Sequence, residues 1–328
     1  MLRKIIKILE CSRFFSLPMT ILSWLVIFTF SCINSGNVLL GLIAFVGICF
    51  AHLGTNLIDD YFDYKFLIKM VDFNKAEYLK NSQKTKCRYL ISGLMTEQQL
   101  LMLIAIYFGI ALLSGIYLFY KCGIGVLYFA LTGGIIGLTY PLISRLYLAE
   151  IAVAIAYGPA LFGGVYYVMT GMYSKEVFLL SIPTMIMTII LLYIHTIMDY
   201  EYDTNEGKKT IANSFDSQLD SLMVLKYLLI TGYSSLFLLC IFDILDWQVF
   251  LAFLTIPLAI DLYKSLQAFA NNPNDVPQRK WFHFPMENLN TFIKRGEANF
   301  MMRMLQARNL MIYFSLFYTL AIILSLAC

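Results

Sequence analysis

Charge is scarce in this chain. Asp, Glu, Lys and Arg make up 14% of its 328 residues, against 59% hydrophobic, and mean hydropathy is +0.71. So little charge excludes a soluble domain of this length and points to a polytopic membrane protein. No C-x-x-C pair occurs. The seven cysteines, Cys11, Cys32, Cys49, Cys87, Cys122, Cys240 and Cys328, are scattered and read as core or lipid-facing thiols. That pattern excludes a disulfide framework and a thiolate metal site. There is no low-complexity tract, P-loop, nucleophile elbow or dinucleotide fingerprint. Nothing points to nucleic acid as a partner. The basic start, Met1–Arg13, has the look of a signal peptide. The apolar stretch after it is long and no clear small-residue cleavage site follows, so it reads as a retained first helix.

What is there is a series of apolar runs. Stretches long enough to cross ~30 Å of hydrocarbon lie at 16–34, 38–58, 98–119, 123–143, 148–170, 176–198, 222–242, 247–268 and 306–327. Asn34-Ser35-Gly36-Asn37 reads as a tight turn, and Thr96 to Gln99 as a capping-box start. With the N-terminus inside, Lys121 and Lys175 alone fall on the outer side, and the other basic residues lie on or flank the inner side. This positive-inside bias supports nine spans and inner segments at 1–15, 59–97, 144–147, 199–221 and 269–305. The last of these carries Arg279, Lys280, Trp281, Lys294, Arg295 and Arg303 among apolar residues. It reads as an amphipathic helix seated on the inner surface, facing membrane lipid. Gly133-Gly134 and Gly163-Gly164 lie within spans, where small residues permit close helix packing.

Two acidic clusters end two of the runs. Asp59-Asp60-Tyr61-Phe62-Asp63 closes the second, and Asp199-Tyr200-Glu201-Tyr202-Asp203 closes the sixth. Each contains D-x-x-x-D, which on a helix puts both carboxylates on one face, one turn apart. Like charges so placed beside a bilayer are costly. The recurrence, on the same side, implies a cation between them, and hard oxygen ligands suit Mg²⁺. The bland reading, a solvated helix end, fits one cluster better than two. Asn56 lies one turn before Asp60 and is placed to complete a coordination shell. His195, one turn before Asp199, can orient a carboxylate, contact substrate, accept a proton or be a satisfied interior histidine. His52 and His283 have no evident partner set and read as structural.

Basic loops follow both clusters. The first carries Lys65, Lys69, Lys75, Lys80, Lys84, Lys86 and Arg88; the second carries Lys208 and Lys209. Such residues set topology and attract anionic headgroups. Beside a carboxylate-held cation they also suit a diphosphate. The shared order of apolar helix, D-x-x-x-D, basic loop and apolar helix suggests a degenerate repeat, roughly 1–140 and 150–328, within a single domain.

These residues resemble the UbiA-type intramembrane aromatic prenyltransferases. The family's first signature, N-D-x-x-D-x-x-x-D, is matched by Asn56 to Lys65 with two departures. Asp59 stands where Asn is usual, and Leu67 where a third Asp often sits, with Asp72 the nearest later acid. The second signature, D-x-x-x-D then G-K-x-T, matches Asp199, Asp203, Gly207, Lys208 and Thr210. Arg88 to Leu94 resembles the family's Arg-to-Gly-Leu element. Tyr140-Pro141 through Gly171, with Glu150, resembles the branch that prenylates 1,4-dihydroxy-2-naphthoate for menaquinone. The resemblance implies an all-α membrane protein of nine helices around a central cavity, with a polar cap on the inner, cytoplasmic side of the cell membrane. It implies Mg²⁺, a polyprenyl diphosphate donor and an aromatic acceptor. It assigns metal binding to Asn56, Asp59, Asp60, Asp63, Asp199 and Asp203, of which Asp60, Asp63, Asp199 and Asp203 are catalytic. Diphosphate binding falls to Lys65, Arg88, Lys208 and Lys209, and acceptor binding to Tyr140, Arg145, Glu150 and His195.

Two other readings compete. The same chemistry can serve 4-hydroxybenzoate, homogentisate or a lipid alcohol. A cation-coupled transporter would also pair carboxylates, but near the bilayer midplane rather than at helix ends.

Overall fold

The computed structural model describes residues 10–70, 74–80, 87–205 and 207–326. Asp72, Lys84 and Lys86 lie outside the described residues. Among the described residues nine helices are long and apolar enough to cross a membrane. They are α1 (Phe14–Ile33), α2 (Val38–Leu67), α3 (Glu97–Cys122), α4 (Gly125–Ile143), α5 (Ala149–Thr170), α6 (Lys175–Met198), α7 (Gln218–Ile241), α8 (Trp247–Asn271) and α9 (Ala298–Leu326). In hydrocarbon every backbone polar group must be satisfied within its own segment, which forces apolar runs of this length into helices. The polar punctuation then sets where each begins. The Asn37 side chain accepts from the Leu40 N–H at 3.2 Å. Thr96 and Gln99 form the expected capping box at the head of α3. Ser174 and Ser217 cap α6 and α7.

The helices close into a ring. α2 packs along α3, α6 along α7, and α9 against both α8 and α1. The main apolar core runs through α1, α5, α6, α7, α8 and α9. α3 and α4 are the least buried spans and α6 the most buried. One glycine pair packs as expected: a Cβ at Gly163 or Gly164 would stand 2.5 or 3.1 Å from the Phe129 side chain. The other does not. Nothing stands within 4 Å of a Cβ at Gly133 or Gly134, and both line a cavity instead. Small residues lower a wall as readily as they admit a neighbour, and their spacing alone does not say which.

Two boundaries move. α2 runs nine residues past the apolar stretch expected to end at 58, so the first acidic cluster is helical throughout. α9 begins at Ala298 rather than near 306, taking Arg303 inside the fold. Its guanidinium is fully buried. It donates to the carbonyls of Ser265, Asp275 and Asn299, pairs with the Asp275 carboxylate at 2.7 Å and lies over the Phe269 ring. The expected amphipathic helix over 269–305 is therefore corrected. Between α8 and α9 the segment is a folded loop with one 3₁₀ turn, Trp281–His283, and one short α-helix, Leu289–Arg295, pinned to the ends of both spans. Asp275 and the surrounding carbonyls supply partners for a buried charge that residue pattern alone treats as interfacial.

Candidate active site

Both acidic clusters sit at the same end of the bundle. Asn56, Asp59, Asp60 and Asp63 project from the last turns of α2. α6 stops at Met198, and Asp199 leads into a short helix, Tyr200–Asn205. The Asp203 N–H still donates to the Asp199 carbonyl at 2.7 Å, so the one-turn relation within D-x-x-x-D survives the break. Asp60 and Asp203 are buried, at 2% and 1% exposed. Asp63 and Asp203 share a small pocket with Tyr202, Arg145 and Lys208, which sets the two clusters face to face.

The clusters form one end of a large cavity of about 2270 Å³. Asn56, Asp59, Asp60, Asp63, Asp199 and Asp203 all line it. Away from them the wall is mostly apolar, built from α1, α3, α4 and α5, with Phe108, Gly133, Gly134 and Val165 among its residues. The loop between α8 and α9 roofs the acidic end through Asn288, Phe292 and Arg295.

Buried carboxylates need cations. Arg13 pairs with Asp60 and lies 3.4 Å from Asp59. Arg145 pairs with Asp63 at 2.6 Å and its guanidinium lies over the Phe66 ring. Lys208 Nζ is 3.5 Å from Asp203 Oδ2. Asp203 Oδ1 is buried without a hydrogen-bond partner. Arg145 and Lys208 meet because the loops carrying them are tied: the Tyr147 N–H donates to the Lys209 carbonyl at 3.3 Å. Asn56 donates its amide to the Ser12 carbonyl and to Ser16 Oγ, leaving its oxygen for other partners.

The other expected residues divide. Arg88, Lys208, Tyr140 and His195 line the cavity. Arg88 also donates to the Leu79 carbonyl at 2.5 Å. Beside it, Tyr89 is buried with its hydroxyl unpartnered, and burial pushes its phenol up from the ordinary range. Lys65 pairs with Glu97 and lies over the Tyr61 ring. Lys209 is exposed. Neither lysine lines the cavity. Glu150 is buried with neither carboxylate oxygen hydrogen-bonded, and lies outside the cavity wall. Arg13 is the residue that the sequence reading passed over. Its signal was position alone: the last basic residue before the first span.

The donor set is four carboxylates of the two D-x-x-x-D pairs, buried Asp60 and one amide, which is hard-oxygen chemistry suited to Mg²⁺. The orphaned Asp203 Oδ1 fits such an ion, since a buried acceptor without a donor is costly. Among the described residues no three acids or histidines stand close enough to enclose an ion alone. Oxygens from water and substrate would complete its shell.

Comparison with known proteins agrees with this fold. Three solved structures superpose over nearly the whole chain. A digeranylgeranylglyceryl phosphate synthase matches with TM-score 0.60 at 16% identity, covering 98% of this chain and 99% of its own. A UbiA homologue from Aeropyrum pernix K1 matches with TM-score 0.57 at 15% identity, covering 90% and 96%. A UbiA homologue from Archaeoglobus fulgidus, solved with GPP and Mg²⁺, matches with TM-score 0.56 at 12% identity, covering 93% and 99%. No curated protein matches the sequence. The family model of the UbiA prenyltransferases matches residues 16–288. With that match spanning most of its length, the chain belongs to the UbiA prenyltransferase family.

Proposed function

We propose that the protein transfers a polyprenyl group from its diphosphate to an aromatic acceptor, with Mg²⁺, and that the acceptor is 1,4-dihydroxy-2-naphthoate. The observation that carries this reading is the cavity: two facing acidic clusters with basic side chains at one end, and an apolar chamber of about 2270 Å³ behind them. A diphosphate suits the first and a polyprenyl tail the second. The carboxylates lie at helix ends, not in mid-span, which disfavours a transporter. The basic bias of the loops supports a cytoplasmic position for the acidic end.

Asp59, Asp60, Asp63, Asp199, Asp203 and Asn56 would hold Mg²⁺, which when bound neutralises diphosphate charge. Lys208 and Arg88 line the same end and would hold the departing diphosphate, with Arg13 and Arg145 turning from carboxylate to phosphate oxygen. The apolar wall keeps water from the allylic carbon. Ionisation breaks the C–O bond, with the electron pair leaving on the diphosphate. A ring carbon of the acceptor then supplies the pair for the new C–C bond, and the ring regains its aromaticity by releasing the carboxyl group as CO2 from the naphthoate, or a proton from the other acceptors. Tyr140 and His195 stand on the wall to meet the acceptor ring, and the resemblance of the Tyr140–Gly171 stretch supports a naphthoate. Purified protein given Mg²⁺, geranylgeranyl diphosphate and equal 1,4-dihydroxy-2-naphthoate, 4-hydroxybenzoate, homogentisate and a lipid alcohol should yield the prenylated naphthalenediol by mass. Product from another acceptor alone would refute the naphthoate assignment, and no prenylated product would refute the transfer.

A further inference from the structure

A second polar cluster lines the cavity deeper in the membrane. His52 lies on α2, one turn before Asn56 and seven residues before Asp59, which is about 10 Å further along the helix axis. Its Nε2 is 2.8 Å from Ser16 Oγ. Its Nδ1 is 2.5 Å from Thr20 Oγ1 and 2.6 Å from the Tyr157 hydroxyl. These two hydroxyls are 3.1 Å apart. Three helices, α1, α2 and α5, thus bring polar groups to one point of a mostly apolar chamber. The phenol is placed by an irregularity: Ala156–Ala160 winds as a π-turn containing Pro159. Such turns break the register of a helix and re-aim its side chains.

Counting protons fixes the tautomer of His52 and what the cluster has left to offer. Ser16 Oγ donates to the Arg13 carbonyl at 2.8 Å and accepts from Asn56. Its one proton is spent, so His52 must donate from Nε2–H, and Nδ1 is left as an acceptor. One lone pair takes one proton, from Thr20 or from Tyr157. The other hydroxyl then donates to its neighbour. All the hydroxyl and ring N–H protons of the cluster are now used internally. With Thr20 fully buried, what remains for the cavity is the lone pairs of the Tyr157 hydroxyl.

We propose that Tyr157, oriented by His52 and buried Thr20, is the seat for a ring hydroxyl of the aromatic acceptor. A wall offering acceptors without donors selects a ligand that donates, and the polyprenyl tail has nothing to donate. Polar groups buried in hydrocarbon need partners. A tie between helices would meet that need sealed away from the chamber, yet Ser16, His52 and Tyr157 present surface to it, with fully buried Thr20 behind them. The acceptor ring then spans from this seat toward the diphosphate end, with its reactive carbon facing the allylic carbon. The inference rests on the prenyl-transfer reading for its ligand, and its test is a binding measurement that needs no turnover.

The probes are 4-hydroxy-2-naphthoate and 4-methoxy-2-naphthoate, whose ring oxygen is too far from the carboxylate for an internal hydrogen bond, titrated into purified protein by equilibrium dialysis. The unaltered protein should bind the hydroxy compound roughly tenfold more tightly, the scale of one net hydrogen bond. Tyr157→Phe and His52→Leu should each bring that preference within about twofold, with affinity for geranyl diphosphate and Mg²⁺ unchanged. A purely structural role would weaken both probes alike and keep their ratio. No preference in the unaltered protein, or a preference kept in Tyr157→Phe, would overturn the seat. If His52→Leu does not fold, Tyr157→Phe decides alone, since it removes one oxygen and no volume. Failure of the acceptor panel described above with the preference intact would overturn the transfer chemistry and leave the seat standing.

Discussion

Arg13 offers a test of the cation site that does not depend on turnover. It pairs with Asp60, which is 2% exposed, and reaches toward Asp59. Arg13→Gln keeps length and polarity and removes the charge. Breaking a buried ion pair costs about 3–5 kcal/mol, because the surviving charge stays buried. Arg13 is itself 24% exposed, so the lower end, about 3 kcal/mol, is expected. For a chain of this size that lowers the melting temperature by roughly 2 °C per kcal/mol, or about 6 °C. Mg²⁺ changes the balance. At a hundred times its dissociation constant an ion contributes about 2.7 kcal/mol of stability, nearly the whole deficit. In the unaltered protein the ion must first displace the guanidinium, so its net gain is smaller. The assay is thermal unfolding of the detergent-solubilised protein in EDTA and in Mg²⁺. Arg13→Gln should melt about 6 °C low in EDTA and recover most of that with Mg²⁺. The double variant Arg13→Gln/Asp60→Asn should melt near the unaltered protein in EDTA and gain less from the ion. An Arg13→Gln variant that melts normally in EDTA, or gains no more from Mg²⁺ than the unaltered protein, would refute the argument.

Asp63→Ala and Asp203→Ala should each abolish transfer, by at least a hundredfold, while still inserting and folding; near-normal turnover in both would end the metal assignment. A pH effect is expected at the roof of the cavity. His283 is buried against Asp261, with Lys280 and Gln306 beside it. Burial lowers its pKa below 6.5, Asp261 pulls it back up and Lys280 adds to the lowering. The unfolded segment therefore binds a proton that the folded one resists, so stability is full above about pH 6.5 and falls as pH drops below it. Proteolysis of segment 272–297 should accelerate between pH 7 and pH 5, and His283→Gln should flatten that dependence.

Much of the scaffold was legible because hydrocarbon imposes long apolar runs and tolerates polar residues chiefly at their ends. The Thr96–Gln99 cap and the two acidic clusters were readable for the same reason. What escaped was partnership across the chain. Arg303 reads as an interfacial arginine until Asp275 and three carbonyls surround it. His52 reads as a lone histidine because Ser16, Thr20 and Tyr157 come from two other helices. Arg13 lies 46 residues from Asp59, and nothing local announces the pair. Gly133 and Gly163 look alike in sequence and differ only in what stands opposite them.

The tie between Tyr147 and Lys209 is made by backbone atoms, and this shapes how the site can drift over generations. Side chains at 146 and 209 can change without loosening it, and position 147, at φ 61°, asks only for a residue that tolerates the left-handed region, so a comparison of residue identities would find little trace of a link between the two loops. Chain length is another matter. One residue gained or lost in either loop shifts Arg145 or Lys208 away from the opposing carboxylates, and a proline at 147 removes the donor outright. Mutational tolerance here should follow a rule of spelling without insertion: letters vary, and the count does not.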